Sequence, residues 1–356
     1  NMYSHYDDIG AYNSKESPYF SWYKFINWPD EYHSWWGIKL LPEVIEEDEG
    51  YRNYICGENG ILKKWLRCGI AGYRLDVADE LPDIFLDDLR KSVKSENENA
   101  IIIGEVWEDA TNKFAYGQRR KYLLGEELDS VMNYPFADAI LNFVRYANGN
   151  AFFNAVLSII ENYPPQVLNV LMNHIGTHDT ERAITRLAGE NPDGHDRAWQ
   201  FEHNTLSEFD YLKGISMMKI ASLIQFTLPG VPSIYYGDEI GMQGMKDPFN
   251  RACMPWNKPN EELLKWYKRL GQIRHSSKAF IDGDFEKLYC DGGVIAYSRS
   301  SEGDNILVAI NNSNEQKRIF VGTQWDNSYS LFDEKSVDGF VNLPPYRYTL
   351  LSKKEY

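Results

Sequence analysis

The sequence predicts an α/β fold, a run of parallel β/α units followed by an all-β domain. Three observations carry that expectation. Apolar strand-like runs alternate with amphipathic helical segments from about residue 57 to 275. After Ser276 the character changes to short alternating runs separated by Asn, Gly and Asp turns. No Gly-rich phosphate loop opens any of the helical segments, which disfavours the dinucleotide-binding kind of parallel sheet.

Residues 1–56 read as an irregular, aromatic-rich loop region. Between Tyr19 and Trp36, nine of eighteen residues are Phe, Trp or Tyr, and Pro18, Pro29 and Gly37 punctuate the run. "GILKKWLRCG" is a short amphipathic helix closed by Gly69. "AGYRLDV" is a strand, and "DIFLDDLRKSVKS" has apolar residues at helical spacing. "AIIIGEVW" is a continuous apolar run, expected to be a strand buried on both faces. A helical stretch is expected from Lys113 to Leu124. "SVMNYPF" is a third strand-like run, and Ala137 to Ala147 is again helical. "VLNVLMNHIGTHD" and "SIYYGDE" are the fourth and fifth strand candidates, on either side of a long helix from Glu208 to Phe226. A last helix covers Glu261 to His275. The closing segment, 276–356, is expected to be an antiparallel β-sandwich, built from "KLYCDGGVIAYSRSS", "NILVAINNS", "KRIFVG" and "RYTLLS".

The chain has 356 residues, 43% of them hydrophobic, enough for one large domain and a small one. Its 52 acidic and 37 basic residues leave a net charge of −15, which argues against nucleic acid as a partner. No run is long enough to cross a membrane. Cys56, Cys68, Cys253 and Cys290 form no CxxC pair and read as reduced, structural thiols. The opening "NMYSHYDDIG" shows no signal peptide and reads like a loop, not a natural amino terminus.

The polar residues of the β/α run sit at the ends of the strand candidates. Arg74, Asp76 and Asp79 end the first, Glu105 the second, His178, Asp179 and Thr180 the fourth, and Asp238 and Glu239 the fifth. In a β/α barrel, catalytic groups come from the carboxyl ends of several strands on one rim. Asp76, Glu105 and Asp179 are therefore expected to converge there with Arg74 and His178. Arg74, two residues before Asp76, points to the same side and favours its ionised form, which suits a nucleophile. Glu105 lies between "IIIG" and Val106-Trp107. An apolar, aromatic setting raises a carboxyl pKa and suits a general acid. Two carboxyls in opposed environments are what glycoside hydrolysis needs. Each residue also has a plainer use. Asp76 with Arg74 would serve as a structural ion pair, Glu105 as a helix cap, His178 as a rim histidine and Asp179-Thr180 as an N-cap. A carboxylate metal site is a further alternative, though no ligand spacing supports it.

Taken together, "GYRLDVADE", "IIIGEVWED" and "NHIGTHDTER" resemble, in order, three signature regions of the α-amylase family of glycoside hydrolases. "LPGVPSIYYGDEIGMQGMKDPFNRACMPW" resembles the family's segment at the end of the barrel. "DSVMNYPFADAILNF" and "GAYNSKESPYFSWYKFINWPDEYHSWWGI" resemble its neopullulanase and cyclomaltodextrinase branch. The resemblance covers nearly the whole chain. It implies Asp76 as the nucleophile, Glu105 as the acid and then the base, and Asp179 as the residue that grips sugar hydroxyls and stabilises the transition state. It implies that Arg74 orients Asp76, that His178 binds the same sugar, that Trp107 offers a stacking face, and that Asp247 and Arg251 hold a sugar on the non-reducing side. Its substrates would be α-glucan oligosaccharides such as maltodextrins, cyclodextrins or pullulan.

The sequence also departs from the family. The first signature region, an Asp-x-x-x-Asn-His type segment, is absent, and "LPEVI" stands where neopullulanases have an "MPKLN"-like form. Five strand candidates are present where a closed (β/α)8 barrel has eight. The expected fold is thus a partial barrel, about the last five βα units, with a C-terminal β domain. Such a fragment would expose sheet edges. It is expected to need its missing N-terminal half, a swapped copy or a homo-oligomer, and to be inactive by itself. No cofactor is required by the implied chemistry. Calcium is known near the missing region in some relatives, but the residues present do not support a site. Few cysteines and an often intracellular branch imply the cytoplasm.

Overall fold

The computed structural model describes residues 2–3, 9–115, 117–332 and 336–353. The loop-like opening lies mostly outside the described residues. The chain divides into two compact units, residues 1–106 with 110–131, and residues 107–109 with 132–356.

The first unit is built on three parallel strands in the order Gly72–Leu75, Ile101–Gly104, Ser130–Val131. Helices Ile61–Arg67 and Asp83–Glu96 precede and follow the first strand. The helix Asp83–Glu96 buries Phe85, Leu86, Leu89 and Val93, one apolar stripe at helical spacing. Arg90 and Lys94 on the same helix clamp Asp129, each at 2.8 Å, and Asp129 Oδ2 accepts the Ile102 N–H at 2.9 Å. One carboxylate thereby ties the helix to the second strand and to the entry of the third. The strand Ile101–Gly104 alternates between half-buried and buried residues, so it is not enclosed on both faces as its apolar run predicts. Residues 9–56 are less irregular than expected. They hold a small antiparallel pair, Phe25–Asn27 with Glu31–Tyr32, the helix Glu49–Cys56, and Ala11, Trp22 and Tyr23, which cluster with Met2.

The helix expected over 113–124 is not formed. Phe114–Ala115 pairs antiparallel with Gln118–Arg119, and Gly117 turns the chain at φ 78. A residue in that left-handed region cannot continue a helix. The flanking cations are instead drawn to tertiary carboxylates, Lys113 to Asp79 at 2.9 Å and Arg120 to Asp83 at 2.8 Å.

In the second unit Met172–Asn173 pairs in parallel with Val231–Pro232, and Met132 bridges to Met172. These strands are shorter than the sequence predicts. The double proline at 164–165 starts a one-turn helix, Pro165–Leu168, in place of strand. The fifth strand lies earlier than "SIYYGDE", because Gly237 at φ 89 bends that segment into the 3₁₀ turn Asp238–Ile240. The helices Tyr134–Tyr146, Glu208–Thr227 and Glu261–Ser276 fall where expected, and a further helix, Gly149–Asn162, follows the first of them. The C-terminal strands form a six-stranded and a two-stranded antiparallel sheet, which share a core of Val294, Leu307, Ile319, Trp325 and Leu351. This β part is pinned to the helices. Asn312 Nδ2 donates to the carbonyls of Phe143 and Val144 at 2.9 and 3.0 Å, and buried Arg299 donates to the Thr227 carbonyl at 2.9 Å.

Candidate active site

In the first unit, the parallel register sets Leu75 opposite Gly104. The residues that follow, Asp76 and Glu105, therefore leave two adjacent strands at the same level. Arg74 joins them. Its Nη1 pairs with Asp76 Oδ1, and its Nη2 lies 3.0 Å from Glu105 Oε2. The two carboxylates differ sharply in exposure: the Asp76 side chain is 75% exposed and Glu105 4%. Glu105 Oε2 also accepts the Val77 N–H at 2.8 Å, and the Glu105 carbonyl accepts the Ala78 N–H at 3.1 Å. Val77 sits at φ 42, a strained conformation for a β-branched residue, and starts the 3₁₀ turn Ala78–Glu80. The apolar setting expected for Glu105 is not what surrounds its carboxylate, which meets a guanidinium and a backbone N–H.

In the second unit, His178, Asp179, Asp247 and Arg251 gather. His178 Nε2 lies 3.1 Å from Asp179 Oδ2. Arg251 donates through Nε to the His178 carbonyl at 3.1 Å, and reaches Asp247 Oδ1 at 3.1 Å and Asp179 Oδ1 at 3.5 Å. Asp179 caps no helix, since the helix Ala183–Ala188 begins beyond Arg182. Trp107 and Asp179 share the walls of one cavity of about 430 Å³, with Asp138, Arg145, Glu181 and Lys246. The Trp107 ring stacks on Tyr134, centroids 4.1 Å apart and planes 13° apart, and is 46% exposed. His174, edge-on to Tyr134, is buried, and burial with the nearby Arg186 charge lowers its pKa to about 3.

The residues named from sequence thus fall into two groups. Arg74, Asp76 and Glu105 meet in one unit; His178, Asp179, Asp247 and Arg251 meet in the other, with Trp107 on the same cavity as Asp179. Sequence reading missed Asn250 and Arg182, which hold the second group from beneath. Asn250 Nδ2 donates to the carbonyls of His178 and Thr180, both at 2.7 Å. Arg182, fully buried, donates through Nε to the Asn250 carbonyl at 2.8 Å and lies against the rings of Tyr235 and Tyr236. The signal was slight, an Asn next to Arg251 in "DPFNR". Among the described residues no three His, Cys, Asp or Glu side chains gather as a metal site, and no helix is long and apolar enough to cross a membrane.

Comparison with known proteins bears on the family of the chain. The alpha amylase catalytic-domain model matches residues 10–269, and the alpha-amylase C-terminal domain model matches residues 283–330. A cyclomaltodextrinase of Thermoanaerobacter pseudethanolicus is 33% identical over 87% of this chain and 50% of its own length. An amylopullulanase of Thermoanaerobacter thermohydrosulfuricus is 32% identical over 88% of this chain and 23% of its own. Among solved structures, the acarbose-soaked debranching enzyme of Nostoc punctiforme superposes with a TM-score of 0.77 at 26% identity, covering 96% of this chain and 71% of that one. The chain spans about half the length of the cyclomaltodextrinase it matches. A catalytic-domain match over most of the β/α region, followed by a match to the same family's C-terminal domain, places this chain in the α-amylase family of glycoside hydrolases.

Proposed function

We propose that the chain provides the catalytic residues of a retaining α-glucan hydrolase that cleaves maltodextrins, cyclodextrins or pullulan-type substrates. The observation that carries this is the sharing of Arg74 between an exposed and a buried carboxylate on adjacent parallel strands. The guanidinium fixes the position of the Asp76 carboxylate, as a nucleophile requires. In the first step an Asp76 oxygen bonds to the anomeric carbon while the glycosidic C–O bond breaks, and Glu105 gives its proton to the departing oxygen. In the second step Glu105, now ionised, takes a proton from water. The water oxygen displaces Asp76, and the product keeps the α-configuration. Asp179 binds hydroxyls of the reacting sugar and stabilises the charge that develops on it. His178 contacts the same sugar, Asp247 and Arg251 hold the neighbouring one, and Trp107 offers a stacking face.

Domain organisation belongs to the same proposal: about the last five βα units of a (β/α)8 barrel, over 57–275, then the β-sandwich 276–356. So does a cytoplasmic setting, supported by four unbridged cysteines.

The test is to give maltotriose, pullulan and β-cyclodextrin to this chain and to one extended upstream, and to follow the anomers by NMR. Release of the α-anomer, abolished by Glu105→Gln and by Asp76→Asn, is expected. An inverted product, or activity unchanged in Glu105→Gln, would overturn the mechanism.

A further inference from the structure

The 3₁₀ turn Trp35–Gly37 of the first unit carries two neighbouring indoles, stacked with centroids 5.2 Å apart and planes 21° apart. Both donate to one carboxylate. Trp35 Nε1 lies 2.7 Å from Glu80 Oε2, and Trp36 Nε1 lies 3.2 Å from Glu80 Oε1. Trp36 is 81% exposed, with one face on Trp35 and the other in solvent. Its backbone is left-handed, φ 50, which costs a non-glycine residue about 1–2 kcal/mol. Folding alone favours neither the strain nor the exposure of an indole, and strain of this kind concentrates at ligand sites.

Glu80 is the link to the chemistry. It ends the turn Ala78–Glu80, four positions after Asp76. That turn is fixed by the hydrogen bonds from Val77 and Ala78 to Glu105 and by the Lys113–Asp79 pair at 2.9 Å. One short segment therefore carries Asp76 at its start and the anchor of the two indoles at its end.

The geometry points to the outer face of Trp36 as a carbohydrate-stacking platform, a further subsite for a glucosyl unit of an α-glucan. With both indole N–H groups held by Glu80, the pair offers a ligand only a flat ring face, which suits the C–H face of a pyranose. Each Glu80 oxygen accepts one indole hydrogen and has a second lone pair to take a sugar hydroxyl. Arg74 and Lys113 offset Asp76 and Asp79, so the Glu80 carboxylate leaves the surroundings anionic, and a neutral polyol fits where a phosphate-bearing ligand does not. Ile38, Leu40 and Leu41 are also exposed nearby. They would suit a protein partner, but an apolar contact has no use for a carboxylate-anchored indole beside the Asp76 turn. This inference rests on the α-glucan reading of Asp76 and Glu105.

The test is calorimetric titration of maltoheptaose into the wild-type chain, Trp36→Ala and Trp36→Phe, with melting temperature and sedimentation measured alongside. Trp36→Ala is expected to bind about 3- to 10-fold more weakly. Trp36→Phe, which keeps a ring face, should stay near wild type, and neither change should move the melting temperature. If the wild type binds maltoheptaose and Trp36→Ala binds it equally well, the platform is wrong and the hydrolase proposal stands. If neither the wild-type chain nor the chain extended upstream binds a glucan, the hydrolase proposal fails and takes the platform with it. Self-association that depends on Trp36, with glucan affinity unchanged by its loss, would make this face a protein interface and also overturn the inference.

Discussion

Asp179 owes its position to a residue that never touches it. Asn250 is fully buried, and its amide hydrogens hold the carbonyls on either side of Asp179, those of His178 and Thr180. Arg251 Nε also donates to the His178 carbonyl. Loss of the Asn250 amide would therefore fall hardest on Thr180, whose carbonyl loses that bond. A buried acceptor left unmade costs about 1–3 kcal/mol, and Asn250→Ala is expected to lower the unfolding free energy by about that much in urea titration. Asn250→Asp keeps the shape but turns the donors into acceptors facing two carbonyl oxygens. It should destabilise at least as much as Ala. An Asp variant as stable as wild type would show that the clamp contributes nothing.

At the scale of elements, capping separates a joint that holds two elements together from one that only starts a helix. Asn133 and Asn148 both accept an N–H three residues on, from Phe136 and Ala151, at the starts of helices Tyr134–Tyr146 and Gly149–Asn162. Asn148 is exposed and does no more. Asn133 is buried and also donates to Asn173 Oδ1 at 2.9 Å, joining its helix to the strand Met172–Asn173. Asn148→Ala should cost about 1 kcal/mol. Asn133→Ala should cost more, about 2–3 kcal/mol, because it also strips a buried side-chain oxygen of its donor. Equal losses in parallel thermal melts would refute the distinction. These elements also show what the sequence made legible. Helices with a clear apolar stripe, such as Asp83–Glu96, could be read from spacing. Gly149–Asn162 went unread although it carries the same signal, with Phe152, Phe153, Val156 and Ile159 buried and Asn150, Asn154 and Ser158 exposed opposite them. The 113–124 segment misled because Gly117 and two long-range ion pairs override local helical spacing. The meeting of Arg74 with Asp76 and Glu105, and of His178 with Asp179, was legible because each lies in a short motif at or after a strand end. Asn250 and Arg182 were not, because they hydrogen-bond to groups 54 to 72 positions away, which no local pattern records.

For the molecule as a whole, four titratable groups shifted by burial set how stability follows pH. Burial pushes Glu127 up to about 7, helped by Asp83 and opposed by Lys121, whose Nζ lies 3.6 Å away. Burial likewise pushes Asp238 up to about 7 against the pull of Arg182, whose Nη1 is 3.4 Å off. Burial, helped by neighbouring glutamates, pushes Glu46 up to about 7 as well. All three carboxyls hold a proton in the folded chain up to about pH 7, whereas in the unfolded chain they release it near pH 4. Between those values the native state binds more protons, so each carboxyl lowers stability as pH rises. His174 acts in the opposite sense. Its folded pKa of about 3 lies below the unfolded value near 6.5, so its contribution is complete above 6.5 and is lost as pH falls toward 3. Between about pH 4.5 and 6 the three carboxyls outweigh the one histidine by about two protons. Stability should therefore fall by about 2.7 kcal/mol for each pH unit gained there, and continue to fall to about 7 once His174 has stopped opposing. The net charge of −15 acts in the same direction, since self-repulsion grows as pH moves up from the pI near 5.0. Denaturant melts from pH 5 to 8 should place the maximum on the acidic side, near pH 5, and Asp238→Asn should flatten the slope between 4.5 and 6 by about one proton. A wild-type profile that is level or rising from pH 5 to 7 would mean that Glu46, Glu127 and Asp238 are ionised in the folded chain, with Lys121 and Arg182 compensating fully for the burial of the last two.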